Sequence, residues 1–122
     1  MRLKEFYDAI GGDYEAIKQR IPKDDMIEKF VLRFLSEPTY ENLCRRIENE
    51  EYEEAFRAVH SLKGISANLG FQRLEKSSGI LTELLRNSNA EEIDKNVVNQ
   101  MLEQITIDYN IVIETIGDFA NS

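Results

Sequence analysis

Apolar residues in this chain recur at steps of three and four almost from end to end, which is the period of an α-helix with one buried face. Only two prolines, Pro22 and Pro38, and six glycines interrupt the pattern, too few for many short strands joined by tight turns. The breaks divide the chain into amphipathic segments. A short helix is predicted over about residues 3–10, stopped by Gly11-Gly12, and a second follows an Asp13 cap and runs to about Arg20. Beyond Pro22, a cap at Asp24 or Asp25 starts a third, with Ile27, Phe30, Val31, Phe34 and Leu35 as its buried face. Thr39 is read as the cap of a helix that carries Tyr40, Leu43, Cys44 and Ile47 and ends near Asn49. Three longer segments follow, over about residues 51–69, 71–86 and 90–120. Gly70 ends the first of them, and the Asn87-Ser88-Asn89 cluster separates the second from the third. The stripe of the last is Val98, Met101, Ile105, Tyr109, Val112, Ile116 and Phe119. Such helices with short connections pack as an all-α, up-and-down four-helix bundle, with the short N-terminal helices covering one end.

Size and charge bound what this bundle can do. The 122 residues suffice for one domain, residues 1–122, with a core that needs no staple. Fifteen basic residues against 23 acidic ones give a net charge of −8, which repels a phosphate backbone, so nucleic acid is not an expected partner. Cys44 is the single cysteine; it cannot form an intramolecular disulfide and reads as a small core residue. The start of the chain lacks a signal-peptide core, and no apolar run approaches the roughly 18 residues of a membrane span. No membrane partner and a cytoplasmic location are the expectations.

His60 is the only histidine, and its place on its helix sets it apart. Advancing about 100° per residue, Ala58, Leu62, Ile65 and Leu69 fall on the side opposite His60, with Ala55 and Val59 flanking them. The imidazole is therefore predicted to face solvent. Gly64 lies one turn further on the same side, and Ala67 lies beside it. A mid-helix glycine costs roughly 1 kcal/mol relative to alanine. Here it removes bulk beside the imidazole. Lys63 and Arg57 bring positive charge one turn to either side. Phe56 projects toward the same face, where its reading is divided between an exposed docking aromatic and packing on a neighbouring helix.

An exposed neutral imidazole is a nucleophile, and phosphoryl carried on its nitrogen stays reactive. Nearby positive charge helps a transition state that spreads negative charge over phosphoryl oxygens. Lys63 supplies such a charge from this chain. The chain has no glycine-rich phosphate-binding loop, so autonomous kinase or ATPase activity is not expected. No compact carboxylate cluster has metal-site spacing. A di-iron bundle needs two Glu-x-x-His motifs; one histidine cannot supply them, and position 57 is arginine rather than glutamate.

The stretch His60-Ser61-Leu62-Lys63-Gly64-Ile65-Ser66-Ala67-Asn68-Leu69-Gly70 resembles the signature of histidine-containing phosphotransfer (HPt) domains: His-x-x-Lys-Gly, with a glycine six residues on. Phe71 and Leu74 continue the pattern, the resemblance is strong over residues 51–86, and residues 24–36 resemble the family's preceding helix more loosely. The resemblance implies a phosphorelay intermediate in two-component signalling. Its partners would be a hybrid sensor histidine kinase and the receiver domain of a response regulator. His60 would accept phosphoryl from an aspartyl phosphate on one receiver and pass it to another. Lys63 would stabilise the charge and Gly64 would give clearance. Phe56, Arg57, Gly64, Ala67 and Asn68 would form the docking face. The chain itself would hold no cofactor, and the Mg²⁺ of the transfer would sit on the receiver. The family often places a polar side chain of the next helix near the imidazole; Thr82 and then Ser78 are the candidates by position. The competing reading is an adaptor that docks receivers through the same face with His60 unmodified.

Overall fold

The structure, a computed structural model, describes residues 1–122 apart from the side chain of Ala90. The described chain is all-helical: α1 (Leu3–Ile10), α2 (Tyr14–Arg20), α3 (Asp24–Arg33), α4 (Thr39–Glu48), α5 (Tyr52–Leu69), α6 (Gln72–Leu85) and α7 (Lys95–Ala120). Short 3-10 turns at Phe34–Ser36 and Ala90–Glu92 follow α3 and precede α7. Among the described residues, no helix is long and apolar enough to cross a membrane.

Several boundaries follow directly from local chemistry. Asp13 accepts a 2.9 Å hydrogen bond from the Ala16 amide and so caps α2. Gly70 ends α5 at φ +75°, in the left-handed region, and the Phe71 amide turns back to the Ser66 carbonyl at 2.9 Å. A side chain at Gly70 would also meet the Asp13 carbonyl oxygen at 3.1 Å.

Other boundaries correct the sequence reading. Lys23, not Asp24 or Asp25, occupies the N-cap position of α3. Asp24 lies in the first turn instead, where its carboxylate accepts from the Tyr14 hydroxyl (2.8 Å) and Lys18 Nζ (2.6 Å). Those hydrogen bonds, Lys18's first, lower its pKa. Pro38 precedes α4 as its cap residue, and the Thr39 hydroxyl is spent on Glu37 at 2.6 Å. Leu35 is 46% exposed because α3 tightens into a 3-10 turn after Arg33, which shifts the phase of its apolar stripe. The last helix starts at Lys95 rather than near residue 90. Asp94 takes the amides of Asn96 and Val97 at 2.9 and 3.4 Å, and Ile93 before it is extended. An ion pair from Lys95 to Glu50 ties this start to the turn between α4 and α5.

Neighbouring helices pack in sequence: α4 on α5, α5 on α6, α6 on α7. Between α4 and α7, the Tyr40 and Tyr109 rings stack at 3.9 Å, and the Tyr40 hydroxyl shares a 2.7 Å hydrogen bond with that of Thr106. The stripes meet inside: Leu43 and Ile47, then Ala55, Val59 and Leu62, then Leu74, Leu81 and Leu85, then Val98, Ile105, Val112 and Ile116. Cys44 sits half-buried on α4.

Helix α1 packs on α7, and a group of aromatic rings, Phe6, Tyr7, Phe34 and Phe71, joins the N-terminal helices to the rest. The last carbonyls of a helix have no partner within it. Here the Tyr7 hydroxyl donates to Leu69 O at 2.6 Å and Arg20 donates to Ala67 O at 2.7 Å, so α1 and α2 satisfy the C-terminal end of α5. Burial pushes the Tyr7 phenol well above the usual phenol range, against the opposing charge of Arg20, so it stays a donor. Tyr7→Phe is expected to lower stability by about 1–2 kcal/mol, because the Leu69 carbonyl loses its donor inside the protein. Urea unfolding measures it; an unchanged midpoint would show that the carbonyl is satisfied without Tyr7.

Candidate functional site

The site is built on α5. Its inner face is Ala55, Ala58, Val59 and Leu62, all buried, with Ile65 and Leu69 packed at the edge of the core. His60 lies opposite and is exposed. Among the described residues it makes no hydrogen bond, so no protein group there competes for the one ring nitrogen that carries a free lone pair when the imidazole is neutral.

Gly64 is exposed one turn on, and a Cβ built there would meet nothing within 4 Å. The missing side chain leaves open space beside the imidazole and serves no helix contact. Lys63 is half-buried, with its aliphatic stem running along Gly79 of α6: a Cβ on Gly79 would lie 3.5 Å from Lys63 Cε. Lys63 has no ion-pair partner among the described residues, whereas the other cations of this face are compensated. Arg57 pairs with Glu53 at 2.8 Å, both exposed, and Arg86 pairs with Glu83 at 3.3 Å. Lys63 therefore brings the uncompensated positive charge nearest in sequence to His60.

Phe56 is half-buried and packs against the core. Its ring lies nearly parallel to the imidazole, at 6° with centroids 5.9 Å apart, and the Arg86 guanidinium covers it at 5.3 Å. Asn68 is exposed further along α5; Ala67 is half-buried.

Thr82 and Ser78 correct the sequence reading. Both are fully buried. The Thr82 hydroxyl donates to the Ser78 carbonyl of its own helix at 2.7 Å, and the Ser78 hydroxyl has no partner among the described residues. Neither bonds His60. They lie on the inner side of α6, and a threonine side chain is short enough to satisfy itself on the preceding turn. The residues of α6 and its C-terminal cap that do reach the site are Gly79, beneath Lys63, and the cap residue Arg86, above Phe56. Gly79 carried the same signal as Gly64, a mid-helix glycine that helix propensity disfavours. Arg86 carried none, because its contact depends on the register between α5 and α6.

Among the described residues, no group of three or more His, Cys, Asp or Glu side chains is placed to hold a metal ion. A protein-family model described as the Hpt domain matches residues 31–107, from the end of α3 through α4, α5 and α6 into α7. No curated protein and no solved structure matches the chain.

Proposed function

From the chain's membership of the Hpt domain family, a family of phosphotransfer carriers in phosphorelay signalling rather than kinases or ATPases, we propose that this protein relays phosphoryl between two receiver domains through His60. The observation that carries the reading is the face of α5 itself: an exposed imidazole opposite the core, open space at Gly64, and a lysine without an acidic partner. The up-and-down bundle of α4 to α7, with α1 to α3 over one end, is the scaffold of this reading.

The chemistry balances without a further reactant. A neutral His60 nitrogen attacks the phosphorus of an aspartyl phosphate on a receiver of a hybrid sensor histidine kinase. The N–P bond forms, the P–O bond to the aspartyl carboxyl breaks, and the carboxylate leaves with the electron pair. In the second half, the carboxylate of a response regulator attacks the same phosphorus and the imidazole nitrogen takes back its pair. Lys63 offsets charge on the phosphoryl oxygens in both directions. Mg²⁺ belongs to the receiver in this scheme. The cytoplasm, where a chain with a single thiol needs no disulfide, is its proposed setting.

The test is incubation with a labelled phospho-receiver, followed by a chase with an unlabelled second receiver. Acid-labile, base-stable label is expected on this chain and then on the second receiver. Stable binding with no label on this chain would make it a docking adaptor instead. In the same assay Lys63→Ala is expected to slow transfer about tenfold, with stability changed by no more than about 0.5 kcal/mol. Equal rates at low salt would reduce Lys63 to a solvated helix residue.

A further inference from the structure

We propose that Phe56 is a positioning residue for the His60 imidazole, and that Arg86 holds it in place from the C-terminal cap of α6. The proposal rests on the reading of His60 as phospho-acceptor. It starts from an imbalance at the site: among the described residues no hydrogen bond orients the imidazole. An exposed histidine with two soft torsions sweeps through several rotamers. In-line attack on phosphorus needs the nitrogen lone pair aimed at one direction, so an unrestrained ring spends most of its time misaligned.

The ring stack supplies the missing restraint. Phe56 and His60 are four residues apart on one helix, the spacing that brings side chains together. Their planes are 6° from parallel with centroids 5.9 Å apart, an offset stack that favours one imidazole orientation. A restraint works only if it is itself fixed. Phe56 packs against the core, and Arg86 lies over its ring at 5.3 Å. Arg86 is held in turn by Glu83, 3.3 Å away on the last turn of α6. The order Glu83, Arg86, Phe56, His60 thus crosses the seam between the two helices and ends on the nucleophile. An aromatic ring that merely filled this seam would have no need to lie parallel to the imidazole.

Docking and positioning separate when the phosphodonor is too small to dock. Phosphoramidate serves: the imidazole nitrogen attacks phosphorus, the P–N bond to the ammonium group breaks, and ammonia leaves with the electron pair. Phe56→Leu, which keeps bulk but not the flat face, is expected to label about tenfold more slowly than wild type. Phe56→Tyr is expected to restore the rate. Arg86→Gln, a surface change that leaves the core intact, is expected to slow labelling about threefold. Side-chain couplings of His60 in NMR should report one dominant χ1 rotamer in wild type and Phe56→Tyr, and averaged values in Phe56→Leu. Equal labelling and equal couplings across the series would overturn the positioning role while leaving His60 as acceptor. Absence of label on His60 in the wild-type protein would overturn both readings.

Discussion

His60→Gln is expected to abolish labelling by a phospho-receiver while leaving the fold intact. The imidazole is exposed, makes no hydrogen bond among the described residues and lies opposite the buried face of α5, so its removal opens no cavity and strands no polar partner. Glutamine is also at least as good a helix former as histidine. The melting temperature should therefore hold within the range of a surface substitution, about 0.5 kcal/mol. Labelling should disappear, because the lone pair of an amide nitrogen is delocalised into the carbonyl and does not attack phosphorus. The pairing of outcomes matters: lost labelling from an unfolded variant would say nothing of the nucleophile, so a melt accompanies the assay. Equal labelling of His60→Gln and wild type would remove His60 from the mechanism.

Local signals were legible where one residue's chemistry decides the outcome alone. Asp13 before Tyr14 and Gly70 after Leu69 mark real helix ends, and the 3.6-residue period places Ala58 and Leu62 inside and His60 outside. The reading strayed wherever several polar groups compete for one role. Asp24 looks like a cap, but Lys18 and Tyr14 engage its carboxylate. Thr39 looks like one as well, but Glu37 takes its hydroxyl. The start of α7 is decided among the acidic residues that precede it. Asp94, rather than the region near residue 90, reaches the free amides, and Lys95 is held by Glu50 from a turn far away in sequence. The candidate site divides the same way. The α5 residues follow from spacing along one helix, whereas the contributions of α6 depend on interhelical register. Counting placed Thr82 beside the imidazole; the packing puts it in the core and brings Gly79 and Arg86 to the site.

Gly64 allows function to be separated from folding with two substitutions. A glycine retained for packing sits against a neighbouring backbone, and a new side chain there clashes. At Gly64 a Cβ would meet nothing within 4 Å, and the residue is exposed, so the fold gains nothing from the missing side chain. Gly64→Ala is then expected to raise stability by up to about 1 kcal/mol, through helix propensity and a less flexible unfolded chain. In a chain of this size that corresponds to a melting shift of about 4 °C. Gly64→Gln should also fold at least as well as wild type, since glutamine is a far better helix former than glycine. Its side chain, however, stands one turn from His60 on the same face, where, under the proposed function, the aspartate of a docked receiver would approach. Transfer from a phospho-receiver is expected to fall about 100-fold, because displacing the partner by the width of a side chain breaks the in-line geometry. Phosphoramidate, too small to be excluded, should still label His60 in the same variant, which separates blocked docking from a damaged nucleophile. Normal receiver transfer in a stable Gly64→Gln protein would refute the clearance role. A destabilised Gly64→Ala protein would show that this face of α5 is packed rather than open.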